Sequence, residues 1–218
     1  HEIIMTDEDS YVWKGGMDYY LYWDPETDRI MPIEYDGNSS FLIGEHTWSP
    51  FYNENDARFP LMNRLFAVPE LRQRYLAHVR TILNNYFVVA DVHAKIDEYV
   101  ALMDSLIQID TKAIYAYNAY LNEIQDIKNF VQSRHTYLSN YGEINVSGLG
   151  ITQAAFATNG VENNPPNAGE TVTVTAKLSG SMGVYKGYIY YGTGIVGTLE
   201  KTEMLDDGAQ GGRMAGDG

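Results

Sequence analysis

The stretch D-Y-Y-L-Y-W-D-P-E-T-D-R-I-M-P-I-E-Y-D-G-N, Asp18–Asn38, decides how the first part of this chain folds. Tyr20 and Tyr22, then Met31, Ile33 and Tyr35, recur at period two, the strand period. The polar D-P-E-T-D between the two runs supplies the Pro and Asp of a turn. This spacing predicts a β-hairpin. Two acids, Glu34 and Asp36, stand where its second strand runs out. Residues two apart on a strand share a face, so their Cα atoms would lie roughly 6–7 Å apart and both carboxylates could reach one hard cation. Acids at a strand end before Gly-Asn also read as solvated turn residues, the simpler reading from spacing alone.

Upstream, T-D-E-D-S-Y-V-W-K-G-G (Thr6–Gly16) is polar, then aromatic, then doubly Gly, and reads as a loop closing into the hairpin. Asp9 is an acid that a rigid hairpin could position, although a lone loop Asp is ordinarily a turn or cap residue. The opening H-E-I-I-M reads as strand-like. The start at His1 and the final A-G-D-G read as the ends of a piece cut from a longer protein. Downstream, Ser39 to Pro60 shows no period and reads as an ordered loop wrapping a surface. His46 in it has no second His at ligand spacing and reads as structural or solvated.

The centre is helical. Leu71, Tyr75, Val79, Ile82 and Tyr86 step by three or four and predict a helix from Pro69 to about Phe87, with Pro in its first turn. Asp91 is placed to cap a second helix, with Val92, Ile96, Tyr99, Met103 and Leu106 on its inner face and an end near Asp110. A third is predicted from about Ile114 to Tyr141, with Tyr117, Leu121, Ile124, Ile127, Val131 and Leu138 inward and Gly142 as the stop. The tyrosines and methionines of these stripes read as core. His78, His93 and His135 each stand alone and read as surface or capping residues.

After Asn145 long helices stop. G-E-T-V-T-V-T-A-K (Gly169–Lys177), K-G-Y-I-Y-Y-G and T-L-E-K-T-E-M-L read as strands, with V-S-G-L-G as the linker. The fold class expected is therefore α+β: a β-hairpin plus helical bundle over residues 1–145, then a small all-β sandwich over 146–218. Asp206, Asp207 and Asp217 in the Gly-rich end could hold calcium, but the Gly spacing is not that of an EF-hand loop, and a turn is the better reading.

Composition limits function. The 218-residue chain carries a formal net charge of -14 and a pI near 4.6, so its field repels nucleic-acid backbones and anionic membranes. A metal or a basic partner fits better. Cys is absent, which excludes a disulfide frame and a thiol nucleophile. No apolar run is long enough to span a bilayer.

Several ordered motifs carry a resemblance. D-S-Y, K-G-G-x-D-Y-Y-L-Y, D-P-E-T-D-R, P-I-E-Y-D-G-N, N-R-L-F-A-V-P-E-L-R-Q-R-Y-L and a late F-V-Q-S-R together resemble the C-terminal part of the CotH family of secreted or spore-coat atypical protein kinases, over roughly the first 140 residues. The remainder is similar to Ig-like or fibronectin-like modules of bacterial surface proteins, with the final strand missing. The resemblance implies a kinase-like C-terminal lobe, magnesium and ATP as cofactors, an extracytoplasmic location, and a protein substrate or a surface or coat protein as partner. It implies the catalytic role for Asp9, in D-S-Y, and metal binding for Asp36, Glu34 and Asp18. The family usually has Asn where Asp18 stands and P-W-D-x-D where this chain has P-I-E-Y-D, departures that fit altered nucleotide chemistry or a pseudokinase. Glu for Asp keeps an oxygen ligand that magnesium accepts. Lys14 stands in the wrong segment to be the phosphate-pairing Lys of a small lobe, so the activity is expected of an intact parent rather than of this chain.

Three classes of function stay open: the kinase lobe with its accessory sandwich, a non-catalytic adhesion or assembly module, and a carboxylate-pair glycosidase. The last is weakest, because same-face acids on one strand do not flank a sugar across the roughly 5–9.5 Å that such enzymes need.

Overall fold

The computed structural model describes residues 2–14, 19–33, 36–146, 150–179, 186–192 and 199–207. Among the described residues the fold is α+β, with six α-helices and small antiparallel sheets. It divides into two compact units, His1–Trp23 with Ile30–Val146 and Asp24–Arg29 with Ser147–Gly218.

The predicted hairpin is present as β1 (Tyr20–Asp24) paired with β2 (Arg29–Ile33). Its turn forms for the reasons the sequence suggests. The Asp24 carboxylate accepts the Glu26 N–H at 3.1 Å and the Thr27 hydroxyl at 2.5 Å, and Asp28 takes the left-handed conformation at φ 52°. The Thr27 hydrogen bond is the main reason that the Asp24 pKa lies below its ordinary value.

The opening segment is helical rather than extended: α1 covers Glu2–Met5, and a second short helix, α2, covers Tyr11–Lys14 inside the stretch expected to be loop. A strand at the start would need a ladder partner for its carbonyls. The carbonyls of Ile3 and Ile4 instead accept hydrogen bonds from the Arg134 guanidinium, at 2.5 and 3.2 Å.

Four longer helices follow: α3 (Pro60–Phe66), α4 (Pro69–Asn85), α5 (Val89–Ile109) and α6 (Tyr117–Ser139). Pro60 and Pro69 open their helices in the first turn, where the missing N–H costs nothing. The buried residues of α4 are Leu76, Val79 and Leu83; of the predicted stripe Val79 is buried, Tyr75 and Ile82 pack half-buried against the core, and Leu71 and Tyr86 are exposed. Tyr75 must keep its hydroxyl hydrogen-bonded, and it donates to the Pro50 carbonyl at 2.6 Å from the edge of the core. Helix α5 starts at Val89 without a side-chain cap, so Asp91 lies inside the first turn, where its charge faces the positive end of the helix dipole. None of its residues is buried: Tyr99, Met103 and Leu106, expected inward, are 51%, 45% and 64% exposed. Helix α6 buries Phe130, Val131, Arg134 and Leu138.

One core joins Ile4, Phe51, Leu76, Val79, Leu83, Phe87, Phe130, Val131, Leu138 and Ile144; a second gathers Ile3, Tyr11, Val12, Phe59 and Met62. The segment after the hairpin is not a surface wrap. It holds short 3-10 turns at Gly37–Ser39 and Ile43–Glu45, and Trp48, Pro50, Phe51 and Phe59 in it are buried. His93 is half-buried, and its Nε2 lies 3.0 Å from the Lys128 carbonyl of α6.

The second unit holds β3 (Gly150–Thr158), β4 (Val161–Glu162) and β5 (Val172–Ser179) in the order β4-β3-β5, and β6 (Gly187–Tyr191) paired with β7 (Glu200–Met204). Asn159 and Gly160, at φ 52° and 79°, make the β3–β4 turn, the residue pair that tight hairpins favour. Among the described residues this is a small all-β region of a three-stranded and a two-stranded antiparallel sheet.

Candidate functional site

Arg134 prepares the frame. Its side chain is fully buried and donates to the carbonyls of Ile3, Ile4, His46 and Trp48, tying α1 and the segment after the hairpin to α6. The loop leaving α1 begins with Thr6, buried and left-handed at φ 52°. Asp7 follows, only 7% exposed. Its Oδ1 accepts the backbone N–H of Asp9 at 3.0 Å, and its carbonyl accepts the Ser10 hydroxyl at 2.6 Å. These bonds form an Asx turn that sets Asp9 half-buried at the bend before α2.

Helix α2 is pinned from several sides. The Tyr11 hydroxyl accepts the Leu61 N–H at 2.9 Å, and Asn53 donates to the Val12 carbonyl at 2.7 Å. The Trp13 ring stacks on Trp48 with centroids 4.7 Å apart and on Tyr52 at 5.6 Å.

Asp36 is exposed and left-handed at φ 34°, immediately before the 3-10 turn Gly37–Ser39. The segment behind it is crossed to the Asp9 loop. The Glu8 N–H donates to the Ser39 carbonyl at 3.2 Å, and the Phe41 N–H donates to the Met5 carbonyl at 2.9 Å. The fold thus brings the Asp9 loop and the segment after Asp36 together. The predicted ligands Glu34 and Asp18 lie outside the described residues.

Electrostatics single out Asp7, which sequence reasoning passed over. Burial pushes its carboxyl pKa up, and the negative charges of Asp9 and Asp36 add to the rise; the hydrogen bond from the Asp9 backbone partly offsets it. Among the described residues no group of three or more His, Cys, Asp or Glu side chains is arranged to hold a metal ion. Asp206 and Asp207 are exposed after β7, Asp217 lies outside the described residues, and nothing here gathers a calcium site around them. No described helix is long and apolar enough to cross a membrane.

The only advance signal for Asp7 was the run D-E-D, and spacing does not say which of two acids turns inward. Arg134 lay in the quoted F-V-Q-S-R motif, yet its buried role had no mark in the sequence.

A hairpin leading into a helical lobe, with an aspartate loop cross-bonded to the segment leaving that hairpin, is an α+β arrangement. The family model described as CotH kinase protein matches residues 1–138, and the chain belongs to that family. No curated protein and no solved structure matches it.

Proposed function

We propose that the full-length protein is an extracytoplasmic kinase that transfers the γ-phosphoryl group of ATP to a Ser or Thr hydroxyl of a secreted, surface or coat protein. In this reading the bond from phosphorus to ADP breaks as the bond to the acceptor oxygen forms. Asp9 orients the hydroxyl and takes its proton. Phosphoryl transfer asks the protein for positioning and charge neutralisation more than for covalent chemistry, so carboxylates on rigid backbone are the parts it needs. The supporting observation is the cross-bonding of the Asp9 loop to the Asp36 segment inside the family-matched region. Magnesium and ATP are the cofactors that family membership suggests. Asp36, with Glu34 and Asp18, supplies the oxygens that suit a hard cation, and the ion would neutralise phosphate charge there. The small all-β region after the helices acts as an Ig-like accessory module for surface attachment.

Incubation of the full-length protein with radiolabelled ATP and magnesium tests this reading. Label on the protein itself or on casein, abolished by chelator, is the result expected. Absence of both ATP binding and transfer would leave a second reading, a non-catalytic pseudokinase that serves as a surface-assembly module. The observation behind it is Glu34 and Asp18 standing where the family usually has Asp and Asn.

A further inference from the structure

The apolar stripe of α5 runs past the core. At its start Val92 packs against the core and Ile96 is half-buried. Beyond them Tyr99, Leu102, Met103, Leu106 and Ile109 are exposed, Leu102 at 66% and Ile109 at 74%. The other side of the helix faces α6: the Tyr117 hydroxyl donates to the Asp104 carboxylate at 2.5 Å, Lys128 pairs with Asp97, and His93 lies against the Lys128 carbonyl. The helical step puts the exposed stripe on the side away from those contacts. Large apolar side chains in one line on an exposed helix face mark an interaction surface.

The order of residues in the stripe says what it fits. Two helices packed antiparallel bring face to face the residues that lie equally far, in opposite directions, from the crossing point. With that point midway between Leu102 and Met103, Leu102 meets Met103 of a second copy, Tyr99 meets Leu106, and Ile96 meets Ile109. One step further out, Lys95 meets Asp110. Both are exposed, and the Lys95 ammonium lies at the end of the stripe, 2.8 Å from Glu98 and 5.1 Å from the Tyr99 ring centroid. A two-fold axis repeats that pair at the other end, so an apolar centre is closed at each end by opposite charges. Parallel pairing would set Lys95 against Lys95 and Asp110 against Asp110. A different partner chain would have no need of a stripe whose two halves match each other.

We propose that this stripe is the contact surface of a homodimer, in which two copies of the chain pack α5 against α5, antiparallel, about Leu102 and Met103. A single helix face makes a small interface, so association is weak, with a Kd on the order of 10–100 μM. The net charge of -14 on each copy opposes approach at long range. Physiological salt screens that repulsion beyond about 8 Å, while the Lys95–Asp110 pairs act at contact. The dimer is independent of the phosphoryl-transfer reading.

Sedimentation of the 218-residue chain at physiological salt tests it. Leu102→Asp sets two acids at the axis and is expected to raise the Kd at least about thirtyfold. Lys95→Asp and Asp110→Lys each set like charges at both ends and are each expected to raise it at least about threefold; the double variant exchanges the charges and should return to within about twofold of wild type. Unfolding measured in dilute solution, where every form is monomeric, separates loss of pairing from loss of fold. The chain has no Cys, so single thiols report the register. Mild oxidation should link Met103→Cys into a dimer, and should not link Ile109→Cys, whose two copies stand roughly 20 Å apart. A wild type that stays monomeric at about 300 μM overturns the proposal and leaves the stripe to a different protein. A dimer that Leu102→Asp does not weaken overturns it by placing the contact elsewhere. A double variant no better than the single ones, or ready linkage of Ile109→Cys, overturns the antiparallel pairing.

Discussion

The Arg134 Nη1 donates to the carbonyl of Trp48 at 2.6 Å, and this bond joins α6 to a segment that precedes it by 86 positions in the chain. The same nitrogen reaches the His46 carbonyl at 2.9 Å, while the other two nitrogens reach Ile3 and Ile4. All the acceptors are neutral backbone oxygens. Burial accordingly lowers the Arg134 pKa, to about 10, still far above neutral pH. Arg134→Ala would strand these carbonyls away from water and is expected to cost about 3–5 kcal/mol in urea unfolding. Arg134→Lys should recover only part of that, since a single ammonium cannot span four acceptors with fixed fork geometry.

Two apolar residues that the stripes treated alike should behave differently. Val131 is fully buried in the main core, whereas Leu106 on α5 is 64% exposed. Val131→Asp is expected to destabilise on the order of 4 kcal/mol, while Leu106→Asp should stay within about 0.5 kcal/mol. Thermal unfolding of both variants checks the contrast; equal losses would mean that α5 is covered by something in the folded protein.

Arg72 lies 3.5 Å above the Phe51 ring centroid while its guanidinium pairs with Glu143 at 2.7 Å and with Glu54. The Arg72 hydrogen bond holds the Glu143 pKa below its ordinary value of 4.5. A depressed carboxylate stabilises the fold above its unfolded pKa and loses that contribution as pH falls through the lower folded value. Arg72→Met keeps an unbranched side chain beside Phe51 and removes the guanidinium that lies over its ring, and with it the charge. It should therefore flatten the loss of stability below about pH 4.5, and chemical denaturation at several pH values would show it.

The parts of the fold set by local pattern could be read from the chain, and those set by distant partners could not. Tyr20 to Ile33 alternate at period two because a hairpin is settled by its own turn, and α4 to α6 declare themselves by their 3.6-residue step. That step does not say how far a helix extends past the core, so Tyr99 and Leu106 keep an apolar pattern on a face that the described residues leave exposed. Glu2–Met5 looked extended because Arg134, the partner of its carbonyls, lies about 130 positions away. At the site, Asp9 and Asp36 stood out by motif. Asp7 did not, because an acid is read as solvated until the fold encloses it.

Asp7 also gives the chain a pH dependence that Glu143 opposes. Its pKa is raised above the ordinary 3.8, chiefly by burial, so the folded state favours the protonated acid. The stability this contributes is complete below the unfolded value and is lost as pH rises through the folded one. Asp7→Asn is neutral at every pH and keeps the acceptor for Asp9. Its melting temperature should exceed that of wild type at pH 7 and converge with it below about pH 3.8. A lower melting temperature for Asp7→Asn at pH 7 would mean that the ionised carboxyl is stabilising where it stands.

The acids of the site should separate by what they disable. Asp36 is exposed at the exit of the hairpin and Asp9 is half-buried on a turn fixed by Asp7; in the proposed reading the first meets a magnesium ion carried in with nucleotide phosphates and the second meets the acceptor hydroxyl. If the ion completes its coordination only with phosphate oxygens, magnesium without ATP should bind weakly to the full-length protein. Asp36→Ala should then weaken magnesium-dependent ATP binding by at least about tenfold in calorimetry, because it removes a ligand present in the ground state. Asp9→Ala should leave that binding within about twofold and lower turnover by about 10²–10⁴, the range that general base catalysis supplies. Transfer measured alongside binding distinguishes the outcomes. Binding lost in Asp9→Ala would make it a metal ligand instead of the base, and binding unaffected in Asp36→Ala would return that residue to a solvated turn.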